Sequence, residues 1–161
     1  MNKTILLTGG NMGDRLANLL QAKILLEKNG ILVKEQSKIY ETAAWGNTNQ
    51  PGFLNQVLIA KTILTPVALL QTILNIELQM GRQRFKKYGP RIIDIDILFY
   101  NNEVLHTPDL VIPHPQIGNR RFVLVPLNEI AGNWVHPFEK KTVSQLLHDC
   151  ADQLDVTVFN K

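Results

Sequence analysis

Asp94 and Asp96 stand two residues apart in the run Ile92-Ile93-Asp94-Ile95-Asp96-Ile97-Leu98-Phe99-Tyr100. The stretch just before it holds Arg82, Arg84, Lys86, Lys87 and Arg91 and no acid. The β-branched run reads as a strand, on which successive side chains alternate faces. Ile93, Ile95, Ile97 and Phe99 are then expected on one face. Asp94 and Asp96 are expected on the other, beside Ile92, Leu98 and Tyr100. Their Cβ atoms would be roughly 6–7 Å apart, within reach of the same hard cations. Aspartate is a poor strand residue and like charges on one face repel, so something positive must offset them. Mg²⁺ would do so while keeping waters and phosphate oxygens as its other ligands. The bland alternative is a solvated edge on which the two acids pair with Lys86, Lys87 or Arg91. Accidental Asp-x-Asp pairs are common, but the basic stretch changes the balance. Carboxylates, a metal and arginines together describe a polyphosphate site.

The chain that must position these groups has 161 residues, 45% hydrophobic and 19% charged, with a net charge of +3. One globular domain over residues 1–161 is expected, with a core of its own. No apolar run approaches membrane-spanning length and no signal-peptide pattern opens the sequence, so no membrane association is expected. The single Cys150 excludes an internal disulfide and fits a reducing compartment, which predicts a cytoplasmic protein. The modest positive charge tolerates an anionic ligand without demanding nucleic acid.

In order, Lys3 to Thr8 reads as a strand, and the glycine-rich Gly9 to Asp14 as a tight turn with Asp14 capping the next helix. That turn lacks the Gly-Lys-Ser/Thr of a P-loop and the full dinucleotide fingerprint. A helix is expected over Arg15 to Lys28, with Leu16, Leu19, Leu20 and Ile24 inward and Asn29-Gly30 as its stop. Ile31 to Tyr40 reads as a second strand, Thr42 to Gly52 as a long loop and Phe53 to Thr62 as a third strand. Thr65-Pro66 starts a helix with Leu69, Ile73, Ile76 and Met80 as its apolar stripe, stopped by Gly81. Glu77 near that stripe reads at first as a surface partner for Arg84. The Asp-x-Asp strand follows. A short strand is expected near Val104-Leu105. Proline-flanked His114 should lie in a stiff extended segment. A helix over Asn119 to Ala131 is expected to be interrupted by Pro126. A last helix should be capped by Thr142, and a short strand is expected over Val156 to Phe159. The order strand-helix-strand-strand-helix-strand predicts an α+β fold, a ferredoxin-like βαββαβ sandwich on a mainly antiparallel sheet with C-terminal additions. His106, His136 and His148 read as structural.

Taken together, several pieces carry a resemblance that none carries alone. They are Gly9 with Asn11, Tyr40-Glu41-Thr42, Phe53-Leu54-Asn55, Glu77 to Gly81, Arg82 and Arg84. Gly89-Pro90-Arg91 then leads into Asp94-Ile95-Asp96, followed by Pro113-His114-Pro115 and Asn119-Arg120-Arg121-Phe122. In these the chain resembles the hydroxymethyldihydropterin pyrophosphokinase family nearly end to end. The resemblance implies transfer of pyrophosphate from ATP to 6-hydroxymethyl-7,8-dihydropterin, leaving AMP, in folate biosynthesis. It implies two Mg²⁺ ions on Asp94 and Asp96, with Arg82 and Arg91 also catalytic. For the pterin it implies Thr42, Ala43, Trp45, Phe53, Asn55, Asp94 and Phe122. The two phenylalanines would sandwich the flat ring, and the Asn55 amide can both donate to and accept from its edge. For ATP it implies Glu77, Arg82, Arg84, Tyr88, Arg91, Ile97, Val111, His114 and Arg120, the arginines because their planar forks match phosphate oxygens. The loops at Ala43 to Gly52 and Gln83 to Gly89 would close over both substrates. A monomer is expected. No residue stands out as a general base.

Departures from the family pattern are Ala43-Ala44 where two prolines are common, Tyr88 where tryptophan is common, and Asp109 where many members carry a basic residue. Two readings from other classes remain. Ferredoxin-like sheets with exposed aromatics bind single-stranded RNA, but two acids on that face would repel a phosphate backbone and no RNP aromatic pair is present. A regulatory domain that binds nucleotide without chemistry is the other.

Overall fold

The computed structural model describes residues 1–43, 51–81 and 92–160. Trp45, Arg82, Arg84, Tyr88 and Arg91 lie outside the described residues, as do residues 44–50 of the first loop expected to close and all of the second, 83–89.

Strand β1 (Asn2–Gly10) runs antiparallel between β4 (Phe53–Thr62) and β5 (Asp94–Tyr100). Two short strands, β2 (Leu32–Gln36) and β3 (Tyr40–Thr42), pair with different parts of β4, and β8 (Thr157–Val158) adds to β3. A separate hairpin joins β6 (Leu105–His106) to β7 (Val111–Ile112). Helices α1 (Arg15–Lys28) and α2 (Pro66–Gln79) start where the sequence places them. The Asp14 carboxylate accepts from Ala17 N at 3.1 Å, and Thr65 Oγ1 accepts from Ala68 N at 3.3 Å. Helix α1 ends at Gly30, whose φ of +82° suits glycine, with Ile31 N reaching back to Leu26 O.

The sheet has apolar residues on both sides because helices cover both. Leu6, Leu54, Leu58, Ile95 and Ile97 pack with Leu19 and Leu26 of α1 and Leu69, Ile73 and Ile76 of α2. Ile5, Leu7, Val57, Ile59 and Phe99 pack on the opposite side with α3 (Arg121–Ala131) and α4 (Val143–Asp149). Each fully buried Leu, Ile or Phe contributes about 1.5–3 kcal/mol. Among the described residues no helix is long and apolar enough to cross a membrane.

Four expectations change. The second strand is two strands, because buried Ser37 breaks the ladder. Ser37 N donates to Val57 O, its hydroxyl accepts from Val57 N, and its carbonyl accepts from the Gln56 side chain. The alternation along β5 fails at Leu98. Leu6 pairs with Ile97 and Ile5 with Phe99, leaving Leu98 as a bulge, so Phe99 turns toward the α3 side and Tyr100 toward the α1–α2 side. On α1 the buried residues are Leu19, Ala22 and Leu26, whereas Leu20 and Ile24 are exposed. Finally, α3 runs unbroken through Pro126. The proline simply has no N–H to offer the Phe122 carbonyl one turn back.

Thr142 caps α4 in a reciprocal box with Gln145. Beside it, His136 is buried, and its Nδ1 accepts from the backbone N–H of Phe138 and Glu139. Burial lowers its pKa from the usual 6.5, only partly opposed by nearby Glu139. A depressed histidine pKa contributes stability that is present above 6.5 and is lost as pH falls through the folded value. The urea midpoint should therefore fall between pH 7.5 and 5.5. His136→Asn, which keeps a neutral acceptor, should reduce that fall. An unchanged slope in the variant would show that His136 does not contribute.

Candidate active site

The row of residues that matters runs straight across the sheet. Asn55 on β4 pairs with Gly9 on β1, and Gly9 pairs with Asp94 on β5. One row further along, Leu7 pairs with both Val57 and Asp96. Asn55, Asp94 and Asp96 thus share one face, around a glycine that adds no side chain. A Cβ on Gly9 would stand 2.1 Å from Asn55 Oδ1 and 3.0 Å from the Leu54 carbonyl. The glycine is therefore required by close approach rather than by φ.

This floor belongs to a cavity of about 470 Å³. Leu7, Gly9, Asn55, Asp94 and Asp96 lie at its base, Thr42, Ala43 and Phe53 on one side, and His114, Asn119, Arg120 and Phe122 on another. The volume suits a small molecule. Helix α3 presents its first turn here. The Arg120 guanidinium lies 5.7 Å from the Phe122 ring centroid, so a cation and an apolar wall meet at one point.

His114 is held from two directions. Its backbone N–H donates to Leu98 O at 3.0 Å, and its Nδ1 accepts from Gln116 N at 3.1 Å. The Ile112–Pro113 peptide bond just before it is cis. Burial and then the Arg120 charge lower the His114 pKa, and Asp94 partly opposes them. A neutral ring whose Nδ1 is an acceptor carries its proton on Nε2, as a donor for an anion.

Other expected residues lie elsewhere. Glu77 is not a surface residue. It is 2% exposed, and its Oε2 accepts from Ile95 N at 2.7 Å. It therefore grips β5 at the residue between the two aspartates, from the α2 side. The Ile97 side chain sits in the α1–α2 core, on the face away from the cavity. Val111 is in β7 and does not line the cavity. Asp109 is exposed in the β6–β7 turn. Asp152 and Leu154, which do line the cavity, were not expected. No motif announces them. They arrive because the chain returns from α4 to pair β8 with β3.

Asp94 and Asp96 are both half-buried on this floor and offer only oxygen donors. Among the described residues no group of three His, Cys, Asp or Glu could hold a metal. That set fits Mg²⁺, which fills its remaining positions with water and substrate phosphate, and does not fit a zinc site with only protein ligands.

Residues 5–132 match the model of the family described as 7,8-dihydro-6-hydroxymethylpterin-pyrophosphokinase (HPPK). The chain belongs to that family. It is 44% identical over 137 residues to the 2-amino-4-hydroxy-6-hydroxymethyldihydropteridine pyrophosphokinase of Aquifex aeolicus, covering 85% of each chain. It is also 44% identical over 150 residues to the protein of that name from Synechocystis, covering 92% of this chain and 74% of the other. The solved Plasmodium falciparum HPPK-DHPS with pteroate superimposes with a TM-score of 0.75 at 18% identity, covering 91% of this chain and 42% of that one. The fold is thus the ferredoxin-like α+β fold of HPPK domains, and the Plasmodium chain is more than twice as long.

Within an HPPK floor built on Gly9, Gly9→Ala should push the Asn55 amide out of the cavity. The expected outcome is at least a tenfold drop in kcat/KM with a fall in melting temperature of only a few degrees. Normal kinetics in a folded Gly9→Ala protein would show that Asn55 need not sit where it does.

Proposed function

We propose that this cavity binds the pterin and the ATP triphosphate together, with Asp94 and Asp96 carrying Mg²⁺ between them. The reaction follows from the family. The chain is an ATP-dependent pyrophosphokinase of folate biosynthesis, moving pyrophosphate from ATP to 6-hydroxymethyl-7,8-dihydropterin. The pterin hydroxymethyl oxygen attacks the β-phosphorus and gives up its proton to solvent, the bond from that phosphorus to the α–β bridging oxygen breaks, and AMP leaves with the electron pair.

One observation carries the assignment of residues. A single cavity joins the acid pair to two phenylalanines, an amide, and the His114–Arg120 pair. Phe53 and Phe122 offer faces to the flat ring, and Asn55 reads its edge. Thr42 and Ala43 close that side, and we assign Trp45 to the same pterin surface. Arg120 and the Nε2 donor of His114 hold phosphate oxygens. Arg82, Arg84 and Arg91 would add donors as charge spreads over the transferred group. We assign Arg82 and Arg91 as catalytic and Tyr88 to the nucleotide. Ile97 could serve the nucleotide only through its backbone, and Glu77 only through β5. When bound, Mg²⁺ would neutralise the phosphoryl oxygens, and two ions suit two carboxylates. A single domain, a monomer and a cytoplasmic location belong to the same proposal. Acids on the cavity floor oppose the RNA-binding reading.

Asp94→Asn and Asp96→Ala should each abolish AMP formation from ATP and hydroxymethyldihydropterin while leaving the circular dichroism spectrum unchanged. A near-normal rate at saturating Mg²⁺ would refute the metal assignment. Phe122→Ala should weaken pterin binding by about 1–3 kcal/mol and leave a non-hydrolysable ATP analogue unaffected, as read by titration calorimetry. Equal loss for both ligands would make Phe122 a simple core residue.

A further inference from the structure

The chain beyond α4 does not trail off. Cys150 to Asn160 passes the cavity, which Asp152 and Leu154 line, and ends tied to the sheet. Thr157 and Val158 pair with Glu41 and Tyr40, and Phe159 N donates to Ile39 O at 2.8 Å. The Arg15 guanidinium sits 5.4 Å above the Phe159 ring centroid. Along this strap Asp152, Leu154 and Val156 are half-buried, whereas Ala151, Gln153 and Asp155 are exposed. That is the period of an extended chain with one face on the molecule.

Asp152 makes two bonds that bear on the cavity. Its Oδ2 accepts from Arg121 N at 3.0 Å, and its Oδ1 accepts from Leu154 N at 2.9 Å. Arg121 is the first residue of α3, and the preceding Arg120 makes no side-chain cap. The first N–H groups of a helix have no partner within it, and a carboxylate there both satisfies one and interacts favourably with the positive end of the helix dipole. The residues flanking Arg121 are Arg120, just before α3, and Phe122 within it, and both line the cavity. The second bond folds the strap so that Leu154 lines the cavity too. One carboxylate therefore fixes two walls at once. Asp152 and Leu154 lie outside the stretch 5–132 that matches the family.

We propose that this strap completes the pterin pocket, with Leu154 as a wall that determines pterin affinity and Asp152 as a positioning residue acting through Phe122 and Leu154. The inference rests on the reading of this cavity as the pterin site. Leu154→Ala removes apolar surface at the wall without touching the phosphate groups. Its cost should fall on the pterin alone. Asp152→Ala frees both the helix end and the strap. Asp152→Asn keeps one acceptor oxygen for two donors and should fall between Asp152→Ala and the parent.

The experiment titrates 6-hydroxymethylpterin in the presence of Mg²⁺ and α,β-methylene-ATP, and separately titrates the ATP analogue, using the full chain. Leu154→Ala should weaken pterin binding five- to twentyfold and raise the pterin KM likewise, with the ATP analogue within twofold and kcat nearly unchanged. Leu154→Met, close in volume, should restore most of the affinity, which keeps the test valid if the alanine variant is poorly folded. Asp152→Ala and Phe122→Ala should be non-additive, since the first acts through the second. Phe122→Ala is also the control. If it weakens pterin binding and the Leu154 and Asp152 variants stay within twofold of the parent, the strap inference is overturned and the cavity reading stands. If Phe122→Ala also leaves pterin binding unchanged, the cavity reading falls and the inference with it. Equal loss of pterin and ATP analogue in Leu154→Ala would make the strap a general stabiliser and overturn the inference.

Discussion

A glycine sits where the sheet must carry no side chain, and the site depends on that gap. Gly9 is paired on one side with Asn55 and on the other with Asp94. The middle strand of a sheet normally fills its face with side chains. Here the space above β1 is part of the cavity, yet the groups on either side have to be brought close. Only a residue without a Cβ satisfies both demands, because any Cβ would meet the Asn55 amide. Everything else in the cavity is arranged around that opening. Phe53 and Thr42 come from the β4–β3 side, and His114, Arg120 and Phe122 from the chain that crosses after β5.

The two sides of β5 divide the work. Toward α2, the buried Glu77 carboxylate accepts from Ile95 N, while Ile95 and Ile97 enter the core. Toward the cavity, Asp94 and Asp96 line the floor. A carboxylate held to the strand's backbone from behind resists the outward splay that repulsion between the two acids would drive. The opposite end of the sheet is braced in another way. The Tyr40 hydroxyl donates to Glu129 of α3 at 2.6 Å, and burial, with Glu129 adding to it, pushes its pKa up to about 12. Glu129 also accepts from Lys38 N, so α3 is tied to the point where Ser37 interrupts the ladder. That tie holds the helix that presents Phe122.

Much of this was legible in the chain itself. Asp94 and Asp96 were readable because two acids in an apolar strand conflict with strand propensity, and such conflicts tend to mark function. The helix starts at Asp14, Thr65 and Thr142 were readable because capping is a local interaction. What was not legible depends on contacts far apart in sequence. The face of Phe99 and Tyr100 was misassigned because a bulge is set by the partner strand, here the step between Leu6 and Ile5. Glu77 reads as a surface group in sequence because nothing nearby shows that β5 will lie across it. Leu20 and Ile24 fit a helical stripe as well as Ala22 and Leu26 do, and only the placement of α1 on the sheet chose between them. Asp152 and Leu154 carry no local signal at all.

The Leu98 bulge works as a spacer in the strand. Without it, Ile97 and Phe99 would follow one another opposite Leu6 and Ile5, and every neighbour would still point where it does now. The extra residue thus leaves the orientation of the acids and of Phe99 untouched. It shifts the offset between them and adds one fully buried side chain to the core beneath α3. Two chains of this kind could differ in length by one residue here and still aim the same two acids into the cavity. The Leu98 carbonyl, however, accepts from His114 N. Losing the spacer would leave the acids aimed correctly and His114 without its mooring, so at this position length variation would move His114 rather than the acid pair.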